Sequence, residues 1–128
     1  MINTAVLGLG SNIRAKENIE EARKIIAEKF IILKESSFIF TDPVGLKEQP
    51  PFLNGTILIT THLDYLEVLR MAKNIEDTLG RIRSDDKFGP RTIDIDLIVW
   101  NDTIIDEDFY ERDFLKQTTL EVLPELKF

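Results

Sequence analysis

A chain of 128 residues, 43% hydrophobic and 30% charged, is long enough for one domain (residues 1–128) with one sizeable core and has the composition of a soluble globular protein. Its formal charge of −7 argues against general nucleic-acid binding, the absence of cysteine excludes disulfides, thiolate catalysis and a Cys-based zinc site, and a lone His62 cannot build a multi-histidine metal centre. No apolar run approaches a bilayer span and Met1-Ile2-Asn3-Thr4 has no basic leader, so the expectation is a cytoplasmic protein without membrane or nucleic-acid partners.

Residues 4–9 form a short apolar run ended by Gly10-Ser11-Asn12, a strand followed by a turn. Residues 18–30 place Ile19, Ala22, Ile25, Ile26 and Phe30 near helical spacing, with acids early and Lys24 and Lys29 late to suit the helix dipole. Residues 32–41 suggest a second strand, and Asp42-Pro43-Val44-Gly45 opens a loop running to Pro50-Pro51. Residues 52–63 return to an extended pattern that would pair with the second strand as a hairpin. Asp64 and Glu67 form a capping box for a second helix, with Leu66, Leu69, Met71, Ala72, Ile75 and Leu79 as its apolar face and Gly80 as its stop. His62 falls at the end of a strand, away from any catalytic pattern.

In residues 93–99 the apolar Ile93, Ile95, Leu97 and Val99 alternate with Asp94, Asp96 and Ile98, which is the period of a strand. Asp94 and Asp96 therefore point the same way, with α-carbons roughly 6.5 Å apart. Two unit charges at that separation repel by about 2.5 kcal/mol at an effective dielectric near 20. Solvent on an edge strand could screen them; so could a cation, and hard carboxylate oxygens suit Mg²⁺ bridging to a polyphosphate. Gly89-Pro90-Arg91 immediately before the strand supplies a rigid entry and a fixed cation. Residues 81–91 carry four cations and two acids, +2 against −9 for the remainder, so an acidic chain has gathered its positive charge beside these carboxylates. That pattern suits a small polyanionic ligand.

The element order is β-α-β-β-α-β, an α+β fold of ferredoxin-like type: an antiparallel sheet with helices packed on one face. After residue 101, Ile104-Ile105 reads as a short strand and residues 114–123 as a short helix ended by Pro124. Weaker signals have ordinary readings when taken singly. Gly8-Leu9-Gly10-Ser11-Asn12 lacks the third glycine of a dinucleotide fingerprint and reads as a strand-to-helix turn. Phe52 and Asn54 are a core aromatic and an edge amide, Glu76 a solvated helix acid, and Arg81 and Arg83 surface cations. In a split βαβ sheet, however, the end of the first strand, the loop after the second, the start of the third and the Asp-x-Asp strand can line one edge, giving a shared pocket.

Together these segments resemble the 6-hydroxymethyl-7,8-dihydropterin pyrophosphokinase family. Its signature of a basic residue, spacer, Gly-Pro-Arg, two spacers and Asp-aliphatic-Asp is met by Lys87 through Ile98. Leu9-Gly10-Ser11-Asn12, Thr41-Asp42-Pro43-Val44-Gly45, Gln49-Pro50-Pro51-Phe52-Leu53-Asn54 and Gly80-Arg81-Ile82-Arg83 also match in order and spacing. The resemblance implies transfer of diphosphate from ATP to the pterin hydroxymethyl group with release of AMP, in folate biosynthesis. It also implies two Mg²⁺ ions held by Asp94 and Asp96, with Arg81 and Arg91 clamping phosphate. Thr41, Pro43, Val44, Phe52, Asn54, Asp94 and Phe114 would meet the pterin, and Lys73, Glu76, Arg83, Phe88, Arg91, Leu97 and Arg112 the nucleotide. The loops 42–51 and 80–91 would close over ATP. Departures from the family pattern include Lys73 for a common Gln, Phe88 for Trp, Phe52 for Tyr, and a short acidic 105–112 segment in place of a basic Pro-His loop. The remaining readings are another Asp-x-Asp phosphotransferase acting on a heterocyclic alcohol, or a ferredoxin-like module that binds without catalysis. In either enzyme reading the partners are small molecules, and the chain is a monomer or small homo-oligomer.

Overall fold

The computed structural model describes residues 1–43, 48–80 and 92–128. In chain order the elements are β1 (Asn3–Ser11), α1 (Ala15–Lys29), β2 (Ile31–Glu35), β3 (Ile39–Thr41), β4 (Phe52–Thr61), α2 (Tyr65–Thr78), β5 (Asp94–Trp100), β6 (Thr103–Ile104), α3 (Asp108–Glu111) and α4 (Asp113–Val122). The sheet runs β2-β4-β1-β5-β6, with β3 continuing along β4, and every pairing is antiparallel. With β2 and β3 counted as one interrupted strand, this is the ferredoxin-like order expected from the sequence.

The expected second strand is broken at residues 36–38, and the break has a hydrogen-bonding reason. Ser36 Oγ accepts the Thr56 N–H at 2.8 Å, taking a side-chain place in the ladder, while Ser37 donates through its N–H and hydroxyl to the Glu121 carboxylate of α4 at 2.9–3.0 Å. The second helix starts on the capping box read from the sequence: Asp64 Oδ1 accepts the Glu67 N–H at 2.9 Å and Glu67 Oε1 accepts the Asp64 N–H at 3.0 Å. It stops at Gly80, whose φ of +78° suits glycine. Leu66 is 58% exposed and does not belong to the apolar face assigned to it. The first helix starts earlier than its pattern suggested, because Arg14 at its N-cap turns the chain through the left-handed region (φ 42°) without a side-chain cap to announce it.

Alternate residues of β1 divide two cores. Leu7 and Leu9 face α1 and α2 with Ile26, Ile57, Ile59, Val68 and Ile95. Val6 faces the opposite side, where Ile98, Phe109, Leu115, Val122 and Leu126 pack under α3 and α4. The two helices of the βαββαβ unit thus share one face as expected, and the C-terminal tail adds a second layer on the other. Val99 joins this second core instead of aligning with Ile93, Ile95 and Leu97, because the β1–β5 register shifts between Val6 and Leu7. The bulge places Ile98 and Val99 opposite one β1 step, which reverses the alternation from there on.

A bidentate pair ties α1 to β2, with Arg23 Nε and Nη2 donating to Glu35 at 2.7 and 2.8 Å. Hydrogen bonding from Arg23 holds the Glu35 carboxyl below its ordinary value, and the same contact raises the Arg23 guanidinium. Within α4, Thr119 Oγ1 is buried with no hydrogen-bond partner among the described residues. Because an unmet buried hydroxyl is costly and valine keeps its shape, Thr119→Val is expected to raise stability by about 1 kcal/mol, roughly 3–5 °C in Tm. Thermal unfolding followed by circular dichroism checks this, and a fall in Tm would count against it.

Candidate active site

β1 crosses the middle of the sheet with Gly8 and Gly10 on the face turned toward α4. In register, Gly10 lies between Asn54 of β4 and Asp94 of β5, and Gly8 lies between Thr56 and Asp96. Two positions without side chains leave a furrow with an amide on one bank and two carboxylates on the other. The furrow is the floor of a cavity of about 510 Å³. Thr41, Asp42 and Phe52 close one side, while Phe114, Leu115 and Thr118 of α4, with Arg112 and α3, close the other.

Local bonding fixes the amide bank. Asn54 Nδ2 donates to Thr41 Oγ1 at 2.6 Å and to the Phe52 carbonyl at 3.4 Å. The approach to β4 is pinned by a buried side chain at the end of β1, where Asn12 Nδ2 donates to Gln49 Oε1 at 2.8 Å and to the Pro50 carbonyl at 3.1 Å. Phe52 and Asn54, spaced by two on β4, thereby meet the same cavity. On the carboxylate bank, Ile95 lies between the two acids and donates its N–H to Glu76 Oε2 at 2.7 Å.

Among the described residues, the cavity lining carries Asp42, Asp94, Asp96, Asp106, Asp108 and Glu111 against a single cation, Arg112. Arg112 Nε lies 3.4 Å from Asp108 Oδ2. No group of three or more carboxylates or imidazoles that could enclose a metal occurs among the described residues. Asp94 and Asp96 on one face therefore suit a hard cation that takes one or two carboxylates and completes its shell with water and ligand oxygens. A second cavity of about 430 Å³ shares Asp96, Asp106, Asp108 and Glu111 with the first and is completed by Tyr65, Leu69, Leu97, Ile105 and Glu107.

Residues 6–124 match the model of the 7,8-dihydro-6-hydroxymethylpterin-pyrophosphokinase family. The chain belongs to this family. It is 33% identical to the 2-amino-4-hydroxy-6-hydroxymethyldihydropteridine pyrophosphokinase of Bacillus subtilis, over 99% of this chain and 82% of that protein. The enzyme of the same name from Haemophilus influenzae is 30% identical, over 96% of the chain and 83% of its own length. The folic acid synthesis protein fol1 of Schizosaccharomyces pombe is 34% identical over 95% of the chain, which spans only 18% of that longer protein.

Of the pyrophosphokinase residues expected from the sequence, Thr41, Phe52, Asn54, Asp94, Asp96, Arg112 and Phe114 line the first cavity, and Leu97 lines the second. Pro43 is at neither. Lys73 is half-exposed on α2, its Nζ 4.0 Å from Glu76 Oε1. Val44, Arg81, Arg83, Phe88 and Arg91 lie outside the described residues, as do residues 44–47 of the first loop expected to close and 81–91 of the second. Glu76, read as a solvated helix acid, is buried at 2% exposure: β6 pairs with Val99 and Trp100, and among the described residues no strand reaches the Ile95 N–H on that side, where the carboxylate accepts it instead. Sequence reasoning missed the acidic wall of Asp106, Asp108 and Glu111, although the density of acids in 105–112 was visible. It also missed that Gly10 is a floor position inside β1, whereas the motif suggested a turn.

Proposed function

We propose that this chain is a 2-amino-4-hydroxy-6-hydroxymethyldihydropteridine pyrophosphokinase of folate biosynthesis, transferring the β,γ-diphosphate of ATP to the hydroxymethyl group of the dihydropterin and releasing AMP. The observation that carries this reading is the furrow over Gly8 and Gly10, which sets the Asn54 amide across from the Asp94 and Asp96 carboxylates in one cavity. An amide bank and aromatic walls at Phe52 and Phe114 suit a flat heterocycle rich in donors and acceptors. The cavity next door shares Asp96, Asp106, Asp108 and Glu111 with the first, and its Tyr65, Leu69, Leu97 and Ile105 offer an apolar patch to the nucleotide base beside those acids.

In the reaction the hydroxymethyl oxygen attacks the β-phosphorus, the bond from that phosphorus to the α,β-bridging oxygen breaks, AMP leaves and the hydroxyl proton passes to solvent. The protein's part is alignment and charge neutralisation. Asp94 and Asp96 would hold two Mg²⁺ ions, which supply positive charge along the triphosphate. Asn54 and Thr41 orient the heterocycle, Phe52 and Phe114 hold its faces, and Arg112 turns from Asp108 toward phosphate. Arg81 and Arg91 complete the neutralisation of the transferring group, with Arg83 assisting; Lys73 and Phe88 belong to the nucleotide side, and Glu76 supports it from beneath by holding β5.

Purified protein supplied with Mg²⁺, ATP and 6-hydroxymethyl-7,8-dihydropterin is expected to release one AMP per diphosphorylated pterin, read by ion-exchange chromatography. No AMP at any Mg²⁺ concentration would refute the enzyme. Pterin binding by calorimetry without AMP release would support a binding module in its place.

A further inference from the structure

A methyl group built on Gly10 would lie 2.9 Å from Asn54 Oδ1 and 3.9 Å from Asn54 Cγ, with no other atom of the described structure as close. The Asn54 carboxamide therefore occupies the space that a side chain at position 10 would need. Its nitrogen end is committed elsewhere, to Thr41 Oγ1 at 2.6 Å and the Phe52 carbonyl at 3.4 Å. The hydrogen bonds at the nitrogen end set the sense of the amide, Nδ2 toward β3, and leave Oδ1 over the bare backbone of β1. In that sense Asn54 offers a carbonyl acceptor to the cavity, so it reads an N–H donor on the edge of a ring.

We propose that Gly10 is a positioning residue for the heterocyclic substrate, its missing side chain being what lets the Asn54 amide lie over β1 with its oxygen presented to the ring. This rests on the reading of the cavity as the pterin site. The position differs in kind from its neighbour two residues earlier. A methyl on Gly8 would meet Ile98 Cδ1 at 3.1 Å and Leu115 Cδ1 at 3.6 Å, packing atoms of the second core, and not Asn54. Substitution at Gly8 therefore acts on packing, and substitution at Gly10 acts on a functional amide. The atom displaced at Gly10 is the far end of a movable side chain, so Gly10→Ala keeps the fold.

The test is a double-mutant cycle on steady-state kinetics with Mg²⁺·ATP, which isolates coupling between neighbouring positions. Gly10→Ala is expected to raise the KM for the dihydropterin about tenfold while leaving the KM for ATP and the Tm near those of the parent enzyme. Asn54→Ala is expected to raise the same KM, and adding Gly10→Ala to it changes nothing further. Thr41→Val, which releases the nitrogen end with Gly10 intact, gives the same selective loss and keeps the test independent of how well the alanine variant folds. An unchanged KM for the pterin in Gly10→Ala, or additive effects in the double variant, overturns the role of Gly10 alone. An unchanged KM in Asn54→Ala would instead overturn the pterin site, and the role of Gly10 with it.

Discussion

Replacing Asp96 with alanine is expected to lower kcat at saturating substrates by about a thousandfold, roughly 4 kcal/mol of transition-state stabilisation. Asp96 is exposed on β5, opposite the side-chain-free Gly8, and it belongs to both cavities. Because the side chain is exposed, trimming it leaves the two apolar cores intact, and the change in Tm should be small beside the change in rate. What it removes is half of a paired anionic site in a lining that already has an excess of acids among its described residues. With Asp96 gone, an ion that neutralises the triphosphate would lose one of the two carboxylates proposed to hold it. Asp96→Asn, which keeps shape and loses charge, should therefore lose as much as the alanine variant, and both should need more Mg²⁺ for half-maximal rate. AMP release measured against Mg²⁺ concentration decides the matter. A variant within tenfold of the parent kcat would mean that the carboxylate is a solvated edge group.

How much of this was legible in advance depended on whether the deciding interaction was local. The start of α2 was legible because Asp64 and Glu67 bond within one turn. The pairing of Asp94 with Asp96 on one face was legible because it needs only the strand period. The bulge that sends Val99 to the other face depends on how β5 meets β1 at Val6 and Leu7, which no pattern inside β5 records. The second core was hidden for a similar reason: β1 is apolar on both faces, so its sequence does not say which face the tail will cover. Within the site, Asn54 and Phe52 had ordinary readings until the register placed Gly10 between Asn54 and Asp94. Glu76 misled because a charged residue on a helix is usually solvated. Its buried place comes with accepting the Ile95 N–H, a contact between elements that no local pattern in α2 records.

Glu76 also carries the largest stability effect expected from one substitution near the site. Its Oε2 receives the Ile95 N–H at 2.7 Å inside the α2–β5 interface, and the residue is 2% exposed. Hydrogen bonds to charged groups contribute about 1.5–3 kcal/mol, and a buried donor left without its acceptor costs a further 1–3 kcal/mol or so. Glu76→Ala is therefore expected to lower stability by about 3 kcal/mol in urea unfolding, with a small cavity adding to the loss. The half-exposed Lys73, 4.0 Å away, contributes little to that sum. Glu76→Gln keeps an acceptor of the same length and should lose about 1 kcal/mol. Because Ile95 is the residue between Asp94 and Asp96, the alanine variant should also lose catalytic rate, through displacement of both carboxylates. The two variants separate the roles available to this side chain. If Glu76 acts only by holding β5, the Glu76→Gln enzyme keeps the parent KM for ATP; if it also contacts the nucleotide, that KM rises while the fold stays intact. Equal stability of the Ala and Gln variants would refute the hydrogen bond as the anchor of β5.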